Sequence, residues 1–464
     1  MRSQSSKTAA ARRSATTRSA ITQRTTTRRA AAAALVSALA LSASACAGGA
    51  SSPSGGSSAA APATPLPTVT GPVTLTYDEV DSSGTLKTTL ATIVASFEKA
   101  NPDITVQLDP YSGYAALQTA EEAKLASHTA PTMAQAYESW AATYSADNEI
   151  VPISTLAGTA NPAELSSFYT AVKNDLYLPD GKLWMWPTGK SVQVFFYNQT
   201  LFKSDGLTAP TTWSDFATVA KSASTHGVTA MTVDPAADGE TMLEILAESN
   251  GSSMYDSKGN PQFTSSAVVD AANYILALKS AGALAVGPST PNSYPGETAM
   301  LGQKGMFDLS STAGYYYEQS TKFTTGTLAL PAGSSGVATE MAGANDVVYS
   351  SATEQQQAAA WAFLQYLASP AEQAVWAAGT GYLPVTAQAL TDPAMATFVS
   401  QNPYVTAAAN SLSSAFVDPP YQWVTDCGTD LETAMEAILD NGTAPATALG
   451  TAQSSCQSTE SSDQ

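Results

Sequence analysis

The stretch Val73-Thr74-Leu75-Thr76-Tyr77 is rich in β-formers, and Ile104-Thr105-Val106-Gln107-Leu108 alternates apolar with polar positions. Between them Leu90, Ile93, Val94 and Phe97 fall on one helical face, and Asn101-Pro102 closes the run. The pattern predicts strand, helix, strand. It recurs as an apolar strand over Val192 to Tyr197, a helix over Trp213 to Ser224 and a strand over Val228 to Val233. Helical spacing returns in Ser266 to Ala281, in Gln355 to Leu367 with Trp361, Leu364 and Leu367 inward, and in Leu431 to Leu439. No internal repeat is apparent. Strands alternating with helices predict an α/β fold, each sheet flanked by helices.

Residues 71–456 are too many for one core, so two lobes are expected. Lobe 1 is drawn as 71–189 plus 341–388 and lobe 2 as 190–340 plus 389–456, with crossings near Lys190, Met341 and Val385. Residues 457–464 are expected to be a disordered tail. Trp361 and Trp376 have the apolar neighbours of core residues. Leu183-Trp184-Met185-Trp186 and Tyr315-Tyr316-Tyr317 each fit either the core or a cleft wall.

Charge divides the chain in two. All seven Arg lie at or before Arg29, and no Asp or Glu precedes Asp78. With Lys7 the head carries eight of the 20 basic residues, leaving 12 Lys against 39 acids and a body of about −27. The basic head, the apolar run Ala30 to Leu41 and the small residues Ser42 to Ala45 read as a signal peptide over 1–45. The run is too short and too Ala-rich for a good membrane span. Ala43-Ser44-Ala45-Cys46 resembles the lipobox of bacterial lipoproteins, with Ala43 where Leu is usual, which implies lipidation of Cys46. Ordinary signal cleavage nearby is the alternative. After Cys46, residues 47–70 are Gly, Ser, Ala, Pro and Thr with almost no large apolar side chain, and 46–70 is expected to be a flexible linker. The expected location is the outer face of the cytoplasmic membrane. Cys427 and Cys456 then form an even pair in an oxidising compartment, and a disulfide is expected.

Several function classes lose support. The acidic body argues against nucleic acid. His128 and His226 stand in unrelated contexts and make no zinc spacing with the cysteines. No Gly-x-Ser-x-Gly elbow or P-loop is present. A glycosidase needs only two carboxylates, so motif reading leaves it open, and a surface adhesion lipoprotein also stays open.

Four stretches in register resemble the extracellular solute-binding proteins of ABC importers that take up sugars and polyols. They are VTLTY with ASFEKANPDITV, FFYNQTLFKSDGLTAPTTWSDF, GQKGMFDLSS, and WAFLQYLASPAEQAVWAAGTGYLPV. The resemblance implies a two-lobed periplasmic-binding-protein-like fold, a monomer that works with a membrane permease, no catalysis and no cofactor. PYSGYAALQ and QAYESWAATYSADNEIVPI are most similar to segments of the glycerol-3-phosphate-binding proteins. That likeness implies a cleft lined by Tyr114, Glu138, Ser191, Trp213, Ser311, Gly343 and Tyr382. Those proteins place an Arg on the phosphate, whereas Pro419-Pro420-Tyr421-Gln422-Trp423 has none.

Side-chain chemistry leads the same way. Anions are usually gripped by Arg forks, and only Lys190 stands beside an expected cleft position. A neutral sugar, oligosaccharide or polyol is therefore expected, held by carboxylates, amides and aromatic faces. Asp308, Asn345, Trp140, Tyr421 and Trp423 join the candidates on these grounds. A zwitterionic or cationic ligand, such as a glycerophosphodiester bearing choline, would suit the same aromatics.

Overall fold

Among the described residues eleven strands form two sheets. In chain order they are β1 (Val73–Glu79), β2 (Ile104–Pro110), β3 (Met133–Ala136), β4 (Trp186–Pro187), β5 (Ser191–Asn198), β6 (Thr229–Val233), β7 (Leu284–Val286), β8 (Gly305–Ser311), β9 (Thr325–Leu328), β10 (Met341–Ala342) and β11 (Asn345–Val348). The first sheet runs β2-β1-β3-β11-β4; the second runs β10-β5-β8-β6-β7, with β9 also on β5. In the first, β1 is parallel to β2 and β3, and β11 is antiparallel to β3 and β4. The computed structural model describes residues 66–225, 227–290 and 293–463. Residues 1–45, Cys46, most of the linker and His226 lie outside them.

The opening unit forms as its pattern predicts. Helix α1 (Gly84–Ala100) buries Leu90, Ile93, Val94 and Phe97, and the Phe97 ring meets Phe363 edge-on at 5.0 Å. Two helices after β2 and β3 matter most for the site: α2 (Tyr114–Ala126) and α3 (Glu138–Ala146). β5 is apolar on both faces because both are covered. Val192, Val194 and Phe196 join the core of the first sheet, while Phe195 and Tyr197 join the second.

The chain passes between the sheets at three places. From β4 to β5 it crosses over residues 188–190, and from β10 to β11 it returns over 343–344. Gly343 has φ +103°, and a Cβ there would sit 2.7 Å from the Gly189 carbonyl, so only glycine fits where these crossings touch. The third crossing is later than expected. Met395, Phe398, Val405, Ala409 and Leu412 pack into the first core, whereas Trp423 and Val424 belong to the second. The chain therefore leaves the first sheet between 412 and 423, not near Val385. Phe416 then pairs with the strand leading into β10, its N–H donating to Thr339 and its carbonyl accepting from Met341. Val385 instead stays beside the first crossing, where Leu383 exchanges backbone hydrogen bonds with Lys190.

Both ends of the body differ from expectation. Leu66 and Val69, at the close of the linker, pack on the first core, and the Thr70 N–H donates to Gln355 Oε1 at 2.8 Å. The expected tail completes the helix Pro445–Asp463. A disulfide joins Cys456 on that helix to Cys427 on the helix Val424–Leu439, with Cα atoms 4.7 Å apart. Trp361 packs against Trp186 at 4.9 Å, and Trp376 is buried. Leu183 to Trp186 is buried throughout, and Tyr315 packs on Phe398.

Candidate functional site

β3 delivers the chain into the cleft. Tyr137 is extended and Glu138 opens α3, where a carboxylate sits favourably against the helix N-terminus. Asn345, on neighbouring β11, donates its amide to Glu138 Oε1 and to Asp175 Oδ2, both at 2.9 Å. Lys190, 1 % exposed, sits behind them. Its ammonium is 2.7 Å from Asp175 Oδ2, 2.5 Å from the Gly343 carbonyl and 3.9 Å from Glu138 Oε1. Burial, then the charge of Asp175, pushes the Glu138 carboxyl well above its usual range, with Lys190 opposing. Lys190, Asn345 and Gly343 thus position Glu138 from behind.

Aromatic rings build the rest of this wall. Tyr137 is edge-on to Tyr114 at 4.7 Å and to Trp140 at 5.4 Å. Tyr382 follows the left-handed Gly381, packs on Trp376 at 5.8 Å, and has its hydroxyl against that of Tyr114. Burial first of all raises the phenols of Tyr114, Tyr137 and Tyr382, so they stay neutral hydrogen-bonding groups.

Tyr137, Glu138, Ser139 and Trp140 face a cavity of about 370 Å³ between the two cores. Its far wall comes from the helices Ala237–Ser249 and Val424–Leu439, and its floor from Glu340 to Ala342 and Val417 to Pro419. The Ser139 and Thr425 hydroxyls meet across it at 2.7 Å, joining α3 of the first core to a helix of the second. The far wall and floor are acidic. Burial and then Asp418 raise Glu340 to about 7; desolvation at the cleft floor and then Glu248 raise Asp418 to about 6, although Asp418 keeps an exposed edge. Burial, then Asp418, Glu432 and Glu340, pushes Glu240 well up.

The candidates from the sequence divide. Glu138 and Trp140 line the cavity, with Tyr114, Tyr382, Lys190, Gly343 and Asn345 packed around them. Ser191 is buried in the crossing, paired with Ala342 of β10. Ser311 caps the turn after β8, its hydroxyl accepting from the Ala313 N–H at 3.2 Å. Trp213 lies in the second core, edge-on to Phe216, with its indole N–H on Ser249. Asp308 is buried in β8 beside Glu318. Neither lines the cavity. Tyr421 and Trp423 stack at 4.7 Å and face another groove, of about 380 Å³, with Trp184. The indole N–H of Trp423 is taken by the Gly259 carbonyl. Sequence reasoning missed Tyr137, Asp175, Glu240, Glu340 and Asp418. One signal was available: Glu240, Glu244 and Glu248 recur every fourth residue on one helix.

A family model described as bacterial extracellular solute-binding protein matches residues 92–407, more than half of the chain. The chain belongs to that family. No curated protein matches it. Solved structures resemble it at low identity and speak to the fold. UgpB from Mycobacterium tuberculosis, in complex with glycerophosphocholine, superposes with a TM-score of 0.75 at 18% identity, covering 85% of this chain and 99% of that one. The GacH receptor of Streptomyces glaucescens GLA.O gives 0.72 at 19%, covering 83% and 98%. Maltose-bound MalE3 of T. maritima gives 0.71 at 17%, covering 83% and 99%. The two sheets flanked by helices are the two-lobed fold of these binding proteins. The family is one of exported solute-binding proteins, and among the described residues no helix is long and apolar enough to cross a membrane.

Proposed function

We propose that this solute-binding protein captures a sugar, oligosaccharide or polyol without negative charge between its lobes and hands it to a membrane permease, held nearby by lipid on Cys46. The observation carrying this reading is the cavity between the cores, where Glu138 is fixed by Asn345 and faced by Tyr137 and Trp140. Carboxylate and aromatic faces are what polyhydroxyl ligands need: acceptors for hydroxyl hydrogens and a flat apolar surface for the ring. Lys190, the cation beside this wall, is already engaged by Asp175, the Gly343 carbonyl and Glu138, which disfavours an anion. A solute that bonds both walls favours the closed arrangement by differential affinity, and no bond in it is broken.

A thermal-shift screen over sugars, polyols, glycerophosphodiesters and amino acids, followed by calorimetry, tests the reading, because a ligand of the native state raises Tm by mass action. Trp140→Ala is expected to weaken the hit at least tenfold. Tight binding of glycerol-3-phosphate, or hydrolysis of the hit on long incubation, would overturn it. Membrane release of a Cys46→Ala variant checks the anchor.

A further inference from the structure

The wall opposite Trp140 carries more carboxyl groups than a neutral sugar needs. Glu240, Glu340, Asp418 and Glu432 line it from four segments, and among the described residues no basic side chain lines the cavity. Glu240, Glu244 and Glu248 occupy one face of the helix Ala237–Ser249, where like charges four apart destabilise a helix. Glu244 is 5 % exposed and feels Asp418, Glu240 and Glu340, yet its Oε1 has no hydrogen-bond partner. Tyr255, equally buried beside the same acids, also has an unpartnered hydroxyl. Glu340 receives a single amide hydrogen bond from Gln193 at 3.2 Å.

The backbone is shaped to keep this wall open. Gly428 lies within the helix Val424–Leu439, where glycine costs roughly 1 kcal/mol against alanine. A Cβ there would approach Glu240 Oε1 to 3.2 Å, so the glycine leaves room for the carboxylate. Among the described residues no three His, Cys, Asp or Glu side chains converge as a metal site. Glu240, Glu340 and Glu432 are half-buried and Asp418 is exposed, with Glu244 buried among them, and carboxyl groups crowded in this way without a counter-charge are costly to ionise. A cation arriving with the solute would supply the counter-charge and let these crowded carboxyls release the protons they hold, and a nitrogen that carries N–H would also give donors to the carboxylates so formed.

We infer that the solute is a polyhydroxylated amine, such as an amino sugar or an oligosaccharide of one, whose ammonium sits among Glu240, Glu340 and Asp418 while its ring faces Trp140. This rests on the reading of the cavity as the solute site.

Calorimetry on the exported protein would compare glucosamine and its β-1,4 dimer with glucose, cellobiose and diacetylchitobiose, with glycerophosphocholine as a quaternary-ammonium arm. The amines are expected to bind at least tenfold more tightly than their neutral counterparts. Glu240→Gln and Glu340→Gln, checked for native melting, should each cut the amine-to-neutral ratio about tenfold. Neutral sugars binding as well as the amines would overturn the inference and leave the solute-site reading standing. Glycerophosphocholine binding while the amines do not would overturn the requirement for N–H. If no probe in either set binds, the solute-site reading falls and the inference with it.

Discussion

The two walls of the cleft are both acidic, but they treat their carboxylates in opposite ways. On the first lobe Asp175 and Glu138 share Lys190 and Asn345, and Asp346 accepts from Tyr77 and Thr188, although Asp175 Oδ1 and Glu121 Oε1 stay without a partner. On the second, Glu240, Glu244 and Asp418 face one another with no cation among them. A network built around a cation fixes the geometry of a site, whereas acids crowded without one favour whatever cation completes them. The first wall reads as the rigid reference surface and the second as the one that selects by charge.

Lys190→Met should produce the largest change, because it leaves Asp175 and Glu138 as uncompensated as the second wall. A loss of about 3–5 kcal/mol is expected from breaking a buried pair, read by urea unfolding. No measurable loss would mean the first wall is not held by charge.

Reducing the Cys427–Cys456 bridge should act on the second lobe alone. It closes a separation of 29 residues, for which chain entropy suggests about 3–4 kcal/mol. Hydrogen exchange should then rise in the helices Val424–Leu439 and Pro445–Asp463 but not in β1 or α1. Uniform opening would show that the lobes unfold as one unit.

Acidification distinguishes the walls by titration. Burial raises Glu79, Asp81, Asp346 and Glu340 to about 7 and Asp418 to about 6. These values exceed those of the unfolded chain, so the native state holds protons that the unfolded state has released. This stabilisation is complete below about pH 4 and is lost as pH rises through about 6–7. Tm should fall by roughly 3 °C or more between pH 5 and pH 8. A Glu340→Gln, Asp418→Asn double variant should remove part of that fall, and the remainder is shared by Glu79, Asp81 and Asp346 on the first lobe and Glu318 and Asp238 on the second.

The smallest effect expected is a gain. Glu244→Gln removes one unpaired charge and should stabilise the free protein by about 1 kcal/mol at pH 8, and by less at pH 5. Destabilisation at pH 8 would mean that Glu244 has a partner in solution.

Much of the fold was legible because it is local. The spacing of Leu90, Ile93, Val94 and Phe97 predicts the buried face of α1, and two cysteines remaining in an exported body suggest a bridge. The third crossing was misjudged because Met395 to Leu412 is amphipathic and suits either core. Trp213 looked like a sugar platform, yet Phe195 and Phe216 enclose it. Of the site, Glu138 and Trp140 were readable from their shared segment, and Asn345 and Lys190 only as neighbours of expected positions.

By itself the sequence determined the class of protein, the alternation of strands and helices, and a body rich in acid and free of Arg. It also determined that Glu240, Glu244 and Glu248 share a helix face, since a period of 3.6 residues puts every fourth side chain together. Tertiary structure alone decided that this face meets Glu340 and Asp418 across a cleft from Trp140. Those residues are brought together by chain crossings far apart in sequence, and local periodicity carries no information about which faces such crossings will oppose.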